Sequence, residues 1–294
     1  NAPRTRHRID QMSGQHIPNF RRNYLAKICK DLLFVDKDGI PNWSDKDSPS
    51  SVSIGKELVK LLPARPTAPR LAPQQLGVKF EEITRQFIER TFTALEHIRP
   101  GAWWFDSGGH ISQYYQYKHL AHLDALVKQY PDLKAILGTE YLVKPDIVVA
   151  RHSEEDRFFD RDRSLFAENR LPAQLTPARR RNYDGYILHA IVSCKWTIRS
   201  DRAQNTRTEA LNIIRNRKGH APRIVVVTAE PLPTRLAALA LGTGDIDCVY
   251  HVALPELQAA VKAVNNDDQA DMLDTLVNGQ RLRDISDLPF DLVI

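Results

Sequence analysis

Three polar residues stand where a buried strand would be expected to stay apolar. Asp146 follows Pro145 and opens the run IVVA, while Ser193 and Lys195 sit two apart near the end of YILHAIVSCKWTI. Side chains alternate between the faces of a strand, so Ser193 and Lys195 point the same way. An aspartate and a lysine aimed into one cleft of a twisted sheet suit phosphodiester hydrolysis. The carboxylate can hold a divalent ion that polarises the phosphate and generates hydroxide from water. The ammonium can orient that water and stabilise charge on a phosphorane-like transition state.

The arrangement Pro145-Asp146 … Ser193-Cys194-Lys195 resembles the PD-(D/E)xK nuclease motif, with a serine in the second acidic position. On these short elements alone, a lysine ending a strand and an aspartate capping a turn is the plainer account. Serine is also a poor ligand for a hard divalent ion. A second carboxylate must therefore come from elsewhere, and Glu209, on the helix expected next, is the natural supplier.

The surrounding elements must bring these residues together. Residues 20–33 (FRRNYLAKICKDLL) have helical apolar spacing, and VDKDGIPNWSDKDSPSS breaks it. Residues 53–62 form a short second helix. The stretch LPARPTAPRLAP, with four prolines, reads as an extended linker. From 79 to 97, Phe80, Ile83, Phe87, Phe92 and Leu95 mark a long amphipathic helix. TEYLVKPDIVVA is a strand signal, with Pro145 at its start or at a bulge. Residues 151–184 read as a charged excursion from the sheet. YILHAIVSCKWTI is a second strand, after which Ser200 can cap a helix running to about residue 217. PRIVVVTAE and CVYHVAL are a third and a fourth strand, and helices at 255–264 and 269–277 close the chain. The order predicts an α/β fold: one domain over residues 1–294, with a mainly helical part (1–75) before a mixed sheet with helices packed on it (76–294).

Composition narrows the function. The chain has 294 residues, enough for one large domain, and no apolar run approaches the roughly 20 residues that span a bilayer. The opening NAPRTRHRIDQM has no apolar stretch behind it, which argues against a secretory signal. Cys29, Cys194 and Cys248 are far apart and odd in number, which argues against a disulfide framework or a zinc site and for a reducing bacterial cytoplasm. The net charge of +5 matters less than its distribution. Arg179, Arg180 and Arg181 form one cluster, and Arg199, Arg202, Arg207, Arg215, Arg217, Lys218 and Arg223 follow; such a stripe can neutralise phosphates or simply form a solvated face. His110, His119, His122 and His189 lack metal-ligand spacing, which argues against a ββα-metal nuclease. Trp103, Trp104, Trp196 and the tyrosines of QYYQYKHL are expected to pack in the interior.

A longer resemblance gives the motif its weight. The stretch SCKWTIRSDRAQNTRTEALNIIRNRKG resembles the NgoMIV family of restriction endonucleases, which cut around a CCGG core. The likeness extends to IVVVTAEPLPTR, ALGTGDIDCVYHVAL, NGQRLRDISDLPFDL, FEEI and HIRPGAWW, most of the chain from about residue 70 onward. In that family the second acid moves to a helix, fourteen residues after the lysine, as Glu209 stands to Lys195. The resemblance implies a PD-(D/E)xK core with two Mg²⁺ ions per active site. Catalytic roles fall to Asp146, Ser193, Lys195, Glu209 and Glu81, and the metal ligands are Asp146, Glu81, Glu209 and the Cys194 carbonyl. Glu82 is the adjacent alternative to Glu81, less favoured because Phe80-Glu81 matches the family's phenylalanine–glutamate pair.

Arg199-Ser200-Asp201-Arg202 suits major-groove reading of G·C pairs, because arginine can bond guanine bidentately and aspartate accepts from cytosine N4. The resemblance assigns this group to the CCGG core, and Arg235, Asp45 and Gln74 to the outer pair. A one-residue insertion in WSDKDS makes Asp47 an alternative to Asp45. Together these imply the site GCCGGC, cut after the first G, with another CCGG-core site as the alternative. The implied partners are double-stranded DNA, a second copy in a homodimer that assembles into a homotetramer, and a cognate DNA methyltransferase; no membrane is involved. A structure-selective repair or junction nuclease would not need the arginine–aspartate reader. A DNA-binding regulator without catalysis would not need Asp146, Lys195 and Glu209.

Overall fold

The structure is a computed structural model and describes residues 16–138, 141–160 and 173–294. Three helices lead the described chain: α1 (Ile17–Asp31), α2 (Pro49–Leu61) and α3 (Pro73–Ala94). Each has a proline in its first turn, where an absent N–H leaves no helical bond unmade. Ser48 caps α2 by accepting from the Ser51 N–H at 3.3 Å, so this helix starts at Pro49 rather than at residue 53. The proline-rich linker is extended as expected up to Ala72. Its last proline opens α3, which therefore begins at Pro73 and not at residue 79.

The rest alternates strands and helices: β1 (Trp103–Asp106), α4 (Lys118–Gln129), α5 (Pro131–Leu137), β2 (Ile147–His152), α6 (Asp156–Asp160) and β3 (Tyr186–Lys195), then α7 (Ser200–Asn216), β4 (Arg223–Thr228), α8 (Pro233–Ala240) and β5 (Cys248–His251), and finally α9 (Leu254–Val264), α10 (Asp267–Asn278), β6 (Leu282–Asp284) and α11 (Leu288–Val293). The six strands form one sheet in sequence order. β1, β2 and β3 pair antiparallel, and β3 to β6 run parallel. Parallel neighbours need crossovers, which α7, α8 and the α9–α10 pair supply. β4 and β5 are buried on both faces along nearly their whole length, as the inner strands of a parallel sheet are. The mixed α/β architecture is the one expected, with two strands more than the four predicted. β1 (WWFD) and β6 (LRD) are too short to show a period, and only their neighbours make them strands.

Three local expectations are corrected. Arg199, not Ser200, is the N-cap of α7, and it makes no side-chain cap bond; Ser200 is already helical. Trp104 is 47% exposed on the edge strand β1, whereas Trp196, Tyr114 and Tyr117 are buried as expected. In the charged segment, Arg151 and His152 still belong to β2, so the excursion starts later. Two of its described arginines face local carboxylates: Arg179 is buried and donates twice to Asp156 (2.7 and 2.6 Å), and Arg180 donates to Glu155 at 3.2 Å. The readings made for residues 1–12 lie outside the described residues. Among those described, no helix is long and apolar enough to cross a membrane, and all three cysteines are free and buried.

The leading helices are tied to the sheet by one guanidinium. Arg21 on α1 donates to both oxygens of Asp284 (2.8 and 2.9 Å) and both of Glu256 (2.9 and 2.6 Å), joining α1 to β6 and α9. Burial opposes its charge, yet the two carboxylates outweigh that and raise its pKa. Removing it would leave two part-buried carboxylates facing one another. We expect Arg21→Ala to cost about 3 kcal/mol, seen as a lower urea midpoint at unchanged slope.

Candidate active site

The antiparallel pairing of β2 with β3 sets Ile147 against Val192. Asp146 lies one residue beyond that rung, beside the end of β3. Its Oδ2 accepts the Cys194 backbone N–H at 2.7 Å, the Lys195 ammonium at 3.1 Å and the Ser193 hydroxyl at 3.4 Å. All three bonds fall on one oxygen, which leaves Oδ1 out of the cluster. Asp146 and Lys195 are each about one-fifth exposed (22% and 21%), so the pair is largely screened from bulk water, and Lys195 also lines the adjoining groove. Burial works against the lysine's charge; Asp146, and then Glu209, overcome it and raise the Lys195 pKa.

Two more carboxylates converge from helices. Glu81 follows the fully buried Phe80 on α3; burial pushes its carboxyl up to about 7, with the charge of Asp146 adding to the rise and Lys195 opposing it. Glu209, on the third turn of α7, is also raised by desolvation, against Lys195 and with Asp146. Glu82 faces elsewhere: it bonds Arg85 twice at 2.9 Å and Gln86 at 2.6 Å, and its pKa is lowered by Arg85. Of the adjacent pair, then, Glu81 feels the strand aspartate and Glu82 does not. Cys194 is buried and its thiol is raised well above the ordinary thiol value, which keeps it unreactive.

An aromatic floor holds these elements in place. Phe80 meets Trp196 edge-on at 5.3 Å, and Trp196 stacks on Trp43 at 6.0 Å. The floor thus locks α3 to the segment after β3 and to the loop carrying Asp45. Above it runs an open groove of about 810 Å³, lined among others by Lys195, Glu209, Arg199, Arg202 and Asp45. Arg199 and Arg202 are exposed and make no ion pair among the described residues, unlike the spent cluster at 179–181. Asp45 is paired with Arg235, and its pKa is lowered by the Asp47 N–H and by Arg235. Asp47 lines the same groove. Asp201 is exposed in the first turn of α7, and Gln74 in the first turn of α3; neither is among the described lining residues. Arg70 and Asn205 do line the groove, and sequence reasoning had singled out neither. Arg70 was hidden in the linker, and Asn205 looks like any solvated helix position.

Comparison with known proteins decides which hydrolytic scaffold this is. A family model described as NgoMIV restriction enzyme matches residues 24–294. The type II restriction enzyme NgoMIV of Neisseria gonorrhoeae is 44% identical over 280 residues, covering 93% of this chain and 97% of that protein. This chain belongs to the NgoMIV restriction enzyme family. It is accordingly a restriction endonuclease, a site-specific deoxyribonuclease, and the sequence-level expectation of that activity holds.

Restriction endonucleases of this class work with divalent metal ions, and the donor set here can be tested for fit. Among the described residues, no group of three or more His, Cys, Asp or Glu side chains is gathered closely enough to hold an ion as it stands. The electrostatics nevertheless favour one. Glu81 and Glu209 are both held above the ordinary glutamate range, first by burial; Asp146 adds to the rise in each and Lys195 opposes it. A dication bound to hard carboxylate oxygens would offset the cost of burying these charges. We expect added Ca²⁺ to raise the unfolding temperature of the wild-type chain, because an ion bound only by the folded state stabilises it. Asp146→Asn should abolish that rise and Glu82→Gln should preserve it; a rise surviving Asp146→Asn would place the ion elsewhere.

Proposed function

We propose that the chain hydrolyses double-stranded DNA at GCCGGC, cutting after the first G to leave a four-base CCGG 5′ overhang, with Mg²⁺ as its ion. The observation that carries this is a juxtaposition: Lys195, which is paired with Asp146, and Glu209 line the same groove as Arg199 and Arg202. Cleavage chemistry and base-reading chemistry therefore meet one duplex at once. Asp146, Glu81, Glu209 and the Cys194 carbonyl would hold Mg²⁺, whose bound form polarises the phosphate and acidifies water.

The chain's own residues do the rest. Asp146 anchors the Lys195 ammonium beside the scissile phosphate, where its positive charge is worth most as negative charge builds on the phosphoryl oxygens. Ser193 bonds Asp146 and steadies it; the acid this position lacks is supplied by Glu209. At the reader, Arg199 and Arg202 are geometrically open to guanine O6 and N7, and Asp201 beside them can accept from cytosine N4. Arg235 and Asp45 answer the outer pair, with their mutual ion pair holding both side chains ready, and Gln74 approaches from the start of α3. A palindromic site calls for two-fold symmetry, so the chain acts as a homodimer, and two such dimers form a homotetramer on two sites. A cognate methyltransferase protects the host genome.

Two experiments test this reading. Plasmids with no, one or two GCCGGC sites are incubated with the chain and Mg²⁺, and the ends are sequenced at nucleotide resolution; the plasmid without sites should stay intact, and Asp146→Ala should cut none of them. Cleavage of the site-free plasmid at the same rate would remove the assignment. For the reader, Arg202→Ala should lose about 1–3 kcal/mol of discrimination at one base pair. Equal weakening on cognate and random duplexes would make Arg202 a phosphate contact instead.

A further inference from the structure

Glu230 is a fully buried carboxylate without an ion-pair partner among the described residues. It stands two residues after β4, and its own N–H donates to the Thr228 hydroxyl at 3.1 Å, which fixes its backbone. One oxygen, Oε2, accepts the N–H of Ile198 at 2.9 Å; the other, Oε1, accepts the N–H of Leu232 at 3.2 Å. Ile198 immediately precedes Arg199, the first residue of the proposed core reader. Leu232 is the N-cap of α8, and its carbonyl accepts the N–H of Arg235, the proposed outer reader, at 2.9 Å.

Neither Arg199 at the start of α7 nor Leu232 at the start of α8 makes a side-chain cap bond. Glu230 anchors the chain where it enters each helix, one oxygen on the amide just before the N-cap of α7 and the other on the amide of the N-cap residue of α8. We propose that Glu230 is a positioning residue for DNA-site recognition, its carboxylate bridging the Ile198 and Leu232 amides so that Arg199 and Arg235 are held in fixed relation to each other. The inference rests on the reading of those arginines as base contacts.

The chemistry requires a carboxylate rather than any polar side chain. Both facing groups are N–H donors, so both oxygens must accept. An amide in its place presents one oxygen and one NH₂, and the NH₂ would confront a donor and leave a buried amide unpaired. Burial pushes the Glu230 carboxyl up to about 7; the two amide donors and then Arg235 oppose the rise, and Asp45 adds to it.

The test uses the full-length chain with Mg²⁺ and duplexes carrying GCCGGC or the same site with one base pair changed. Glu230→Gln should raise KM for the cognate duplex on the order of tenfold, with kcat changed by less than about threefold. Discrimination should shrink at both the core and the outer pair, because one anchor serves both readers. Glu230→Asp keeps two acceptors but withdraws them by one methylene, and should fall between wild type and Glu230→Gln; it carries the test if Glu230→Gln does not fold. Wild-type KM and discrimination in both variants, or a loss confined to kcat, would overturn the proposal. If the wild-type chain itself ignored GCCGGC, the functional reading would fail first, and that result is seen without any variant.

Discussion

The bond from the Cys194 amide to Asp146 is the constraint on which the rest depends. It joins a side chain just before β2 to the backbone of β3, so the register of two antiparallel strands also sets the distance from carboxylate to lysine. A slip of one residue would turn Lys195 to the opposite face and put Ser193 out of reach. The proposed active constellation is in this sense a property of the sheet. Helices α3 and α7 then need only bring one carboxylate each toward a point already defined.

That convergence has an electrostatic consequence. Three carboxylates and one ammonium share a partly buried site, and the raised pKa values of Glu81 and Glu209 come first from that burial, with Asp146 adding to the rise and Lys195 opposing it. Arg199 and Arg202 stand exposed along the adjoining groove. Clustered carboxylates suit a cation, and unpaired arginines suit guanines and phosphates. Their meeting along one groove fits the proposed nuclease with its own reader. Several other arginines are committed elsewhere: Arg21, Arg179 and Arg180 to carboxylates, and Arg207 to Asp245 and backbone carbonyls.

Positioning of the elements is divided between apolar contact and a few buried polar anchors. The Phe80–Trp196–Trp43 floor is non-directional and fills volume, whereas Arg21 and Glu230 each specify a unique pairing of distant backbone segments. Such anchors are costly to break on one side, because each leaves a buried partner unsatisfied. Arg21 secures the leading helices to the sheet, and with them Glu81 and Asp45. Glu230 does the equivalent at the C-terminal ends of β3 and β4.

The sequence by itself determined the fold class, the central strands and the long helix bearing Glu81, and its family resemblance supplied the proposed carboxylate–lysine set with its relocated acid. These are legible because apolar periodicity is local and because the lysine-to-glutamate spacing lies within one strand–helix unit. The choice of Glu81 over Glu82 rested on a matched residue pair until the packing showed Glu82 occupied by Arg85 and Gln86. Only the tertiary structure decided that Arg179 and Arg180 are committed to Asp156 and Glu155, that α3 starts at Pro73 and that β1 and β6 complete the sheet. It alone found Glu230, which in the sequence is one more acid after an apolar strand. The reason is common to all of these: each depends on which partner a polar group or a short strand meets across tens or hundreds of residues, and no local pattern encodes that meeting.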